Sequence, residues 1–164
     1  MRYATLPWIL FPACEIMKNY KISAIATTKI PPERIFAVLD DFANWPTWMP
    51  SFDRVKVDLP INPVPHLNYQ FRLRGSVVFA DMQVIEYTPL SRATSFRINI
   101  PPLTGINRCS IRPLSHGRYR IDRIDTIDLP KVVVGVLDAT QRARFARLAQ
   151  EFLTALLRTA ETRG

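Results

Sequence analysis

The sequence predicts an α+β domain in which a curved antiparallel β-sheet wraps around one long C-terminal α-helix, with two short helices after the first strand. Three observations carry this expectation. From Phe52 to Ile127 apolar residues recur at every second position, as in strands with one buried face, and Gly75-Ser76, Pro89, Pro101-Pro102 and Ser115-His116-Gly117 interrupt them. Near the end the period lengthens to that of a helix, through Phe145, Leu148, Ala149, Phe152, Leu153, Leu156 and Leu157. A chain of 164 residues, 48% of them hydrophobic, buries roughly two thirds of its unfolded surface and needs no disulfide or metal to hold a core. One helix about 10 Å across does not fill the concavity of six or seven twisted strands, so a cavity between sheet and helix is expected.

The elements follow in order. Residues 20–27 are rich in β-favouring side chains and predict the first strand. Pro31, Pro32 and Glu33 then start a helix over 33–39, because proline suits a first turn and an acid there complements the dipole. Ile35, Phe36, Val38 and Leu39 form its apolar face, and Asp40-Asp41 ends it. Pro46 and Pro50 confine residues 44–50 to a short helical turn or loop in which Trp45, Trp48 and Met49 must bury. Leu67, Tyr69, Phe71 and Leu73 alternate with Asn68, Gln70, Arg72 and Arg74 in the cleanest strand. Val78, Ala80, Met82 and Val84 share the next face, with Glu86 at its end, and Thr94, Phe96, Ile98 and Ile100 the one after. Cys109 and Ile111 face inward if Arg108, Ser110 and Arg112 face water, and a last strand spans 119–127. Residues 130–136, apolar but broken by Gly135, predict a connector or short strand. Asp138 with Gln141 resembles a capping box opening the final helix, which runs to Ala160.

Composition narrows the chemistry. Five glycines leave no room for a glycine-rich phosphate loop, and 14 prolines exclude a flexible linker. Cys14 and Cys109 have neither C-x-x-C spacing nor a nearby histidine, which fits a reducing, cytoplasmic setting. His66 and His116 each sit beside proline or glycine in a turn, so no metal and no cofactor is expected, and no G-x-S-x-G elbow occurs. Residues 1–19 are expected to form an N-terminal extension to a single domain over 20–162. Its apolar run, broken by Pro7 and Pro12, is too short to span a bilayer. A loosely ordered extension is favoured over a packed arm, and both over a targeting signal.

The run Ile25-Ala26-Thr27-Thr28-Lys29-Ile30-Pro31-Pro32-Glu33-Arg34-Ile35-Phe36-Ala37-Val38-Leu39-Asp40-Asp41, followed by Trp45-Pro46-Thr47-Trp48-Met49-Pro50, resembles the START-like, or SRPBCC, superfamily. Its polyketide cyclase/dehydrase-like branch is the most similar. Val84-Ile85-Glu86-Tyr87-Thr88-Pro89 and Ile111-Arg112-Pro113 resemble the same family, over roughly residues 20–160. The resemblance implies the helix-grip fold and a hydrophobic cavity for a small molecule. It specifies function weakly, since members include cyclases, lipid and quinone carriers, hormone receptors and a ribosome-associated toxin.

Regular alternation over 119–127 turns Tyr119, Ile121, Arg123, Asp125 and Ile127 toward the helix. An isolated buried charge is too costly, so Arg123 and Asp125 would pair with each other, with Tyr69 or Glu86, or with a polar ligand. A β-bulge near Asp122, turning Arg123 outward and Ile124 inward, is an equal alternative. In the first arrangement Arg123 binds an enolate or carboxylate while Glu86 or Asp125 removes a proton, as an aldol cyclisation requires. Glu86, Arg123, Asp125 and Tyr69 are therefore the catalytic candidates. The expected cavity lining is Trp48, Tyr69, Phe71, Met82, Val84, Phe96, Cys109, Tyr119, Phe152 and Leu156, which otherwise simply fill the interior. Trp45, Trp48 and Met49 serve as gate or as core, and Cys109 reads as a small core residue before a nucleophile.

The 22 basic and 14 acidic residues leave a charge of +8, spread along the chain. Arg72, Arg74, Arg97, Arg108, Arg112, Arg118 and Arg120 fall on the outward parity and predict a basic convex face. Such a face suits an acidic protein, an anionic membrane or the ribosome, although it lacks interleaved aromatics for stacking on nucleic acid. A hydrophobic or amphipathic small-molecule ligand is the favoured partner. Cyclase or dehydratase activity is the enzymatic version, a lipid or quinone carrier the alternative.

Overall fold

A computed structural model describes residues 17–163. The chain runs β1 (Met17–Thr28), α1 (Pro32–Asp40), a 3-10 turn (Phe42–Asn44), α2 (Trp45–Trp48), β2 (Lys56–Asp58), β3 (Gln70–Arg74), β4 (Phe79–Thr88), β5 (Ser91–Ile98), β6 (Leu103–Pro113), β7 (Tyr119–Pro130), α3 (Lys131–Thr140) and α4 (Arg142–Thr162). The expectations placed on residues 1–16, Cys14 included, lie outside the described residues.

The seven strands form one antiparallel sheet in the order β1-β7-β6-β5-β4-β3-β2. Chain neighbours pair throughout except at β1, which crosses to β7. The first and second strands thus become opposite edges, and α1 and α2 carry the chain between them. On β1 the inward residues Tyr20, Ile22, Ala24 and Ala26 alternate with exposed Lys21, Ser23, Ile25 and Thr27. Their small members let α4 lie on β1, and α4 also packs on α1 and α2. Ile35, Ile111, Ile121, Leu153 and Leu156 are fully buried where sheet, α1 and the second half of α4 meet. Trp45 Nε1 donates to the Leu39 carbonyl at 2.9 Å and ties α2 to the end of α1.

Local expectations fail in four places. Residues 131–140 are helical because Val134 buries against Tyr20 and Leu129, which outweighs the weak helix propensity of valine and about 1 kcal/mol for Gly135. Asp138 therefore lies inside α3, and Gln141, between the helices, caps neither with its side chain. Asn68 adopts φ 68°, so β3 starts at Gln70 and Leu67 is exposed. β5 stops at Ile98, which leaves Ile100 in solvent. The turn between β6 and β7 places both His116 (φ 58°) and Gly117 (φ 64°) in the left-handed region, where glycine is favoured.

Candidate functional site

The hollow half of the concave face

A cavity of about 460 Å³ lies between the middle of the sheet and the first half of α4. Phe145, Leu148, Ala149 and Phe152 close it from α4. Leu39, Phe42, Trp45, Met49 and Phe52 close it from the helical connection, and Leu73, Ala80, Met82, Val84, Phe96 and Ile98 from the sheet. Ser51, in the loop after α2, and Leu148 of α4 border it and are also exposed. The volume falls within the range of about 300–1,000 Å³ usual for small-molecule sites.

Two cross-strand rows make its floor polar. β7 pairs with β1 and with β6 without a shift in register, so there is no bulge at Asp122 and Arg123 and Asp125 both border the cavity. One row reads Thr94, Asn107, Asp125 and Ile22, the other Arg92, Cys109, Arg123 and Ala24. Arg123 Nε donates to Asp125 Oδ2 at 2.9 Å and Oδ1 at 3.1 Å, and Asn107 Nδ2 donates to Oδ1 at 2.8 Å. The guanidinium lies 3.5 Å from the centre of the Phe152 ring. Among the described residues its two terminal nitrogens donate to nothing.

The second cation is held at all three nitrogens. Arg92 donates from Nε and Nη2 to Asp40, at 3.0 Å for each of the two shortest contacts, and from Nη1 to the carbonyls of Thr88 and Ser91. The rings of Phe36 and Tyr87 cover its guanidinium at 4.4 and 3.7 Å, and the Tyr87 hydroxyl donates to Asp40 at 3.1 Å. Between the two arginines Cys109 is buried, and burial pushes its thiol up to about 12, which favours the neutral thiol.

Where the sequence-predicted residues lie

Of the expected lining, Met82, Val84, Phe96, Cys109 and Phe152 border the cavity. Trp48, Tyr69, Phe71, Tyr119 and Leu156 do not. Phe71 stacks on Phe42 at 4.2 Å, Trp48 packs on Phe152 at 5.5 Å, and Leu156 is fully buried in the packed half. Tyr119, at the start of β7, packs against the same core. Tyr69 is buried, and burial raises its hydroxyl above the ordinary tyrosine value. Alternation finds the concave face but not how far the helix covers each row.

Glu86 must be corrected. The register slips between Val84 and Glu86, making Ile85 an extra residue and aligning Glu86 with Ala93 and Arg108 on the convex face. There it pairs with Arg108 at 3.0 Å. The convex face itself is a lattice of alternating charge rather than a basic field. Arg72 pairs with Asp81, Arg74 with Asp58, and Arg112 and Arg120 with Asp122. Among the described residues Arg97 and Arg118 make no ion pair. Burial opposes ionisation of Asp122, yet hydrogen bonds from Arg120 and Arg112 prevail and hold its carboxyl below the usual range.

Arg92, Asp40 and Asn107 escaped sequence reasoning as site residues. Continuing the row Thr94, Phe96, Ile98 backwards reaches Arg92, and continuing Cys109, Ile111 backwards reaches Asn107. Asp40 gave no such signal, since it meets Arg92 from 52 positions away. No three of His, Cys, Asp and Glu converge as a metal site among the described residues. No helix described is long and apolar enough to cross a membrane.

Comparison with known proteins

A seven-stranded antiparallel sheet gripping a C-terminal helix around an apolar chamber defines a START-like, helix-grip protein. Residues 20–161 match the family described as polyketide cyclase / dehydrase and lipid transport, and the chain belongs to that family. Among solved structures, a hypothetical protein from Helicobacter pylori is similar at 13% identity and TM-score 0.65, over 98% of this chain and 97% of that one. The Zhui aromatase/cyclase from a Streptomyces species is similar at 16% identity and TM-score 0.61, over 89% and 96%. A protein of the dynemicin biosynthetic locus matches at 13% identity and TM-score 0.58, over 87% of this chain and 47% of that one. At these identities the likeness is one of fold. No curated protein sequence matches the chain.

Proposed function

We propose that the protein binds an apolar small molecule bearing a polar group in the cavity between the sheet and α4. One observation carries this: an apolar chamber of about 460 Å³ has, on its floor, a guanidinium with unused donors fixed by Asp125. Transfer of the ligand's apolar surface from water supplies affinity at about 25 cal/mol per Å². The polar cluster supplies orientation, because Asn107 and Phe152 hold the Arg123–Asp125 pair in place before a ligand arrives.

The family and the cluster together favour a cyclase or dehydratase version of this reading. Arg123 would stabilise a carbonyl oxygen as it gains negative charge. Asp125 would take the proton from the carbon beside that carbonyl, and the enolate carbon would attack a second carbonyl of the same molecule. The new alkoxide would take that proton back from Asp125, and in a dehydratase Asp125 would then remove the remaining proton of the attacking carbon and pass it to the departing hydroxyl, so that a carbon–carbon double bond forms as water leaves. Without turnover the same contacts serve a lipid or quinone carrier.

Native mass spectrometry of the purified protein, followed by solvent extraction, tests the binding reading. A stoichiometric apolar adduct is expected. An empty protein whose thermal unfolding is unmoved by a panel of lipids, quinones and polyketides would sink it. Cyclisation of a linear poly-β-ketone by the unaltered protein, lost in Arg123→Ala while the ketone still binds, separates enzyme from carrier.

A further inference from the structure

The charges around the cavity cancel. Arg92 and Arg123 face it from the sheet, and each is held by its own aspartate, Asp40 and Asp125. Arg108 also borders the chamber, but Glu86 on the convex face holds its guanidinium at 3.0 Å. The remaining lining is apolar apart from Ser51, Thr94 and Asn107. From this balance we infer that the polar group of the ligand is uncharged: a hydroxyl, a ketone or an ester, not an ionised carboxylate, a phosphate or an amine. The inference rests on the cavity being the binding site, as proposed above, and specifies what that site selects.

The selection follows from what each charged group has left to offer. Each of the three nitrogens of Arg92 already donates to protein oxygen and Asp40 balances its charge, so it offers an anion no uncompensated cation. Arg123 has free terminal donors, but an anion reaching them comes up beside the carboxylate of Asp125, which that guanidinium already neutralises. A second negative charge would enter an apolar chamber with half a partner, and burying it outweighs the attraction gained. A cation approaching Asp125 meets Arg123 in the same way. A neutral oxygen accepts from Arg123 with no charge to desolvate, so the existing ion pair survives binding.

The test is displacement of a fluorescent apolar probe from the intact protein by decanol, methyl decanoate and sodium decanoate at neutral pH. The three share an alkyl chain and differ in head-group charge. The neutral pair is expected to compete at concentrations about tenfold or more below decanoate. In Asp125→Asn, which keeps the shape and leaves Arg123 without its counter-charge, decanoate should draw level with the neutral pair or pass it. Equal or tighter binding of decanoate to the unaltered protein overturns the inference and leaves the cavity reading standing. A preference unchanged in a folded Asp125→Asn overturns the assignment of selectivity to this pair. Failure of the probe and all three competitors to bind overturns the cavity reading, and the inference with it. If thermal unfolding shows that Asp125→Asn does not fold, the ranking of the three ligands on the unaltered protein decides alone.

Discussion

The two arginine–aspartate pairs beside the cavity have similar burial and opposite character. Arg92 and Asp40 join β5 to the end of α1, with side chains 13% and 16% exposed, and every guanidinium nitrogen is spent on protein oxygen. Arg123 and Asp125 are 16% and 11% exposed, lie two residues apart on one strand, and among the described residues leave two guanidinium nitrogens unused. The first pair links elements distant in sequence, so its loss opens the wall of the chamber. The second is an ion pair within one strand, set on the chamber floor by Asn107 of β6 and the Phe152 ring of α4. A buried ion pair recovers little of its desolvation penalty. One that crosses elements still serves to orient them, whereas one within a strand, with donors to spare, is better explained by what it presents to a ligand.

The largest effect should come from breaking the cross-linking pair. Asp40→Ala strands the Arg92 charge under Phe36 and Tyr87 at the edge of the cavity, and urea denaturation should report a loss of about 3 kcal/mol, with decanoate gaining on the neutral ligands. Replacing the other pair by apolar side chains of similar size, Arg123→Met with Asp125→Leu, should leave stability unchanged or raise it by about 1 kcal/mol. That double variant should lose the advantage of decanol over an alkane of the same length in probe displacement. A fall of 3 kcal/mol there would erase the distinction between the pairs.

Smaller effects belong to the convex face. Because the folded-state pKa of Asp122 is depressed, its contribution is present above its ordinary unfolded value of 3.8 and is lost as pH falls through the folded value. Denaturation midpoints measured down an acid series should therefore drop less steeply below about pH 4 in Asp122→Asn than in the unaltered protein. The smallest change is expected for Arg72→Ala. Its partner Asp81 is half exposed, as Arg72 is, so the loss should stay under about 1 kcal/mol and shrink further in salt.

Much of this architecture is legible in the sequence. Period-2 alternation located the sheet, the 3.6-residue period located α4, and strand parity offered Arg123 and Asp125 a cavity-facing arrangement as one of two alternatives. The same parity also reaches Arg92 and Asn107, but a polar side chain at the end of an apolar row reads as the edge of the strand, not as part of the site. Glu86 was misplaced because one extra residue, Ile85, inverts every side chain beyond it. α3 was missed because its valines carry a strand-like propensity, and only burial of Val134 against β1 and β7 makes the helix worthwhile.

By itself the sequence determined the class of fold and most of the apolar rows of the concave face, since these follow from local periodicity and the near-obligatory burial of apolar surface. Only tertiary structure decided which half of that face is packed solid and which is hollow. That depends on where along the strands α4 descends, with Leu153 and Leu156 filling one end and Phe145 and Ala149 leaving the other open. It also decided that Arg92 would be closed off by Asp40, 52 residues away, while Arg123 keeps donors free. Periodicity is set by neighbours in the chain, whereas volume and hydrogen-bond saturation are set by side chains that meet only once the chain has folded.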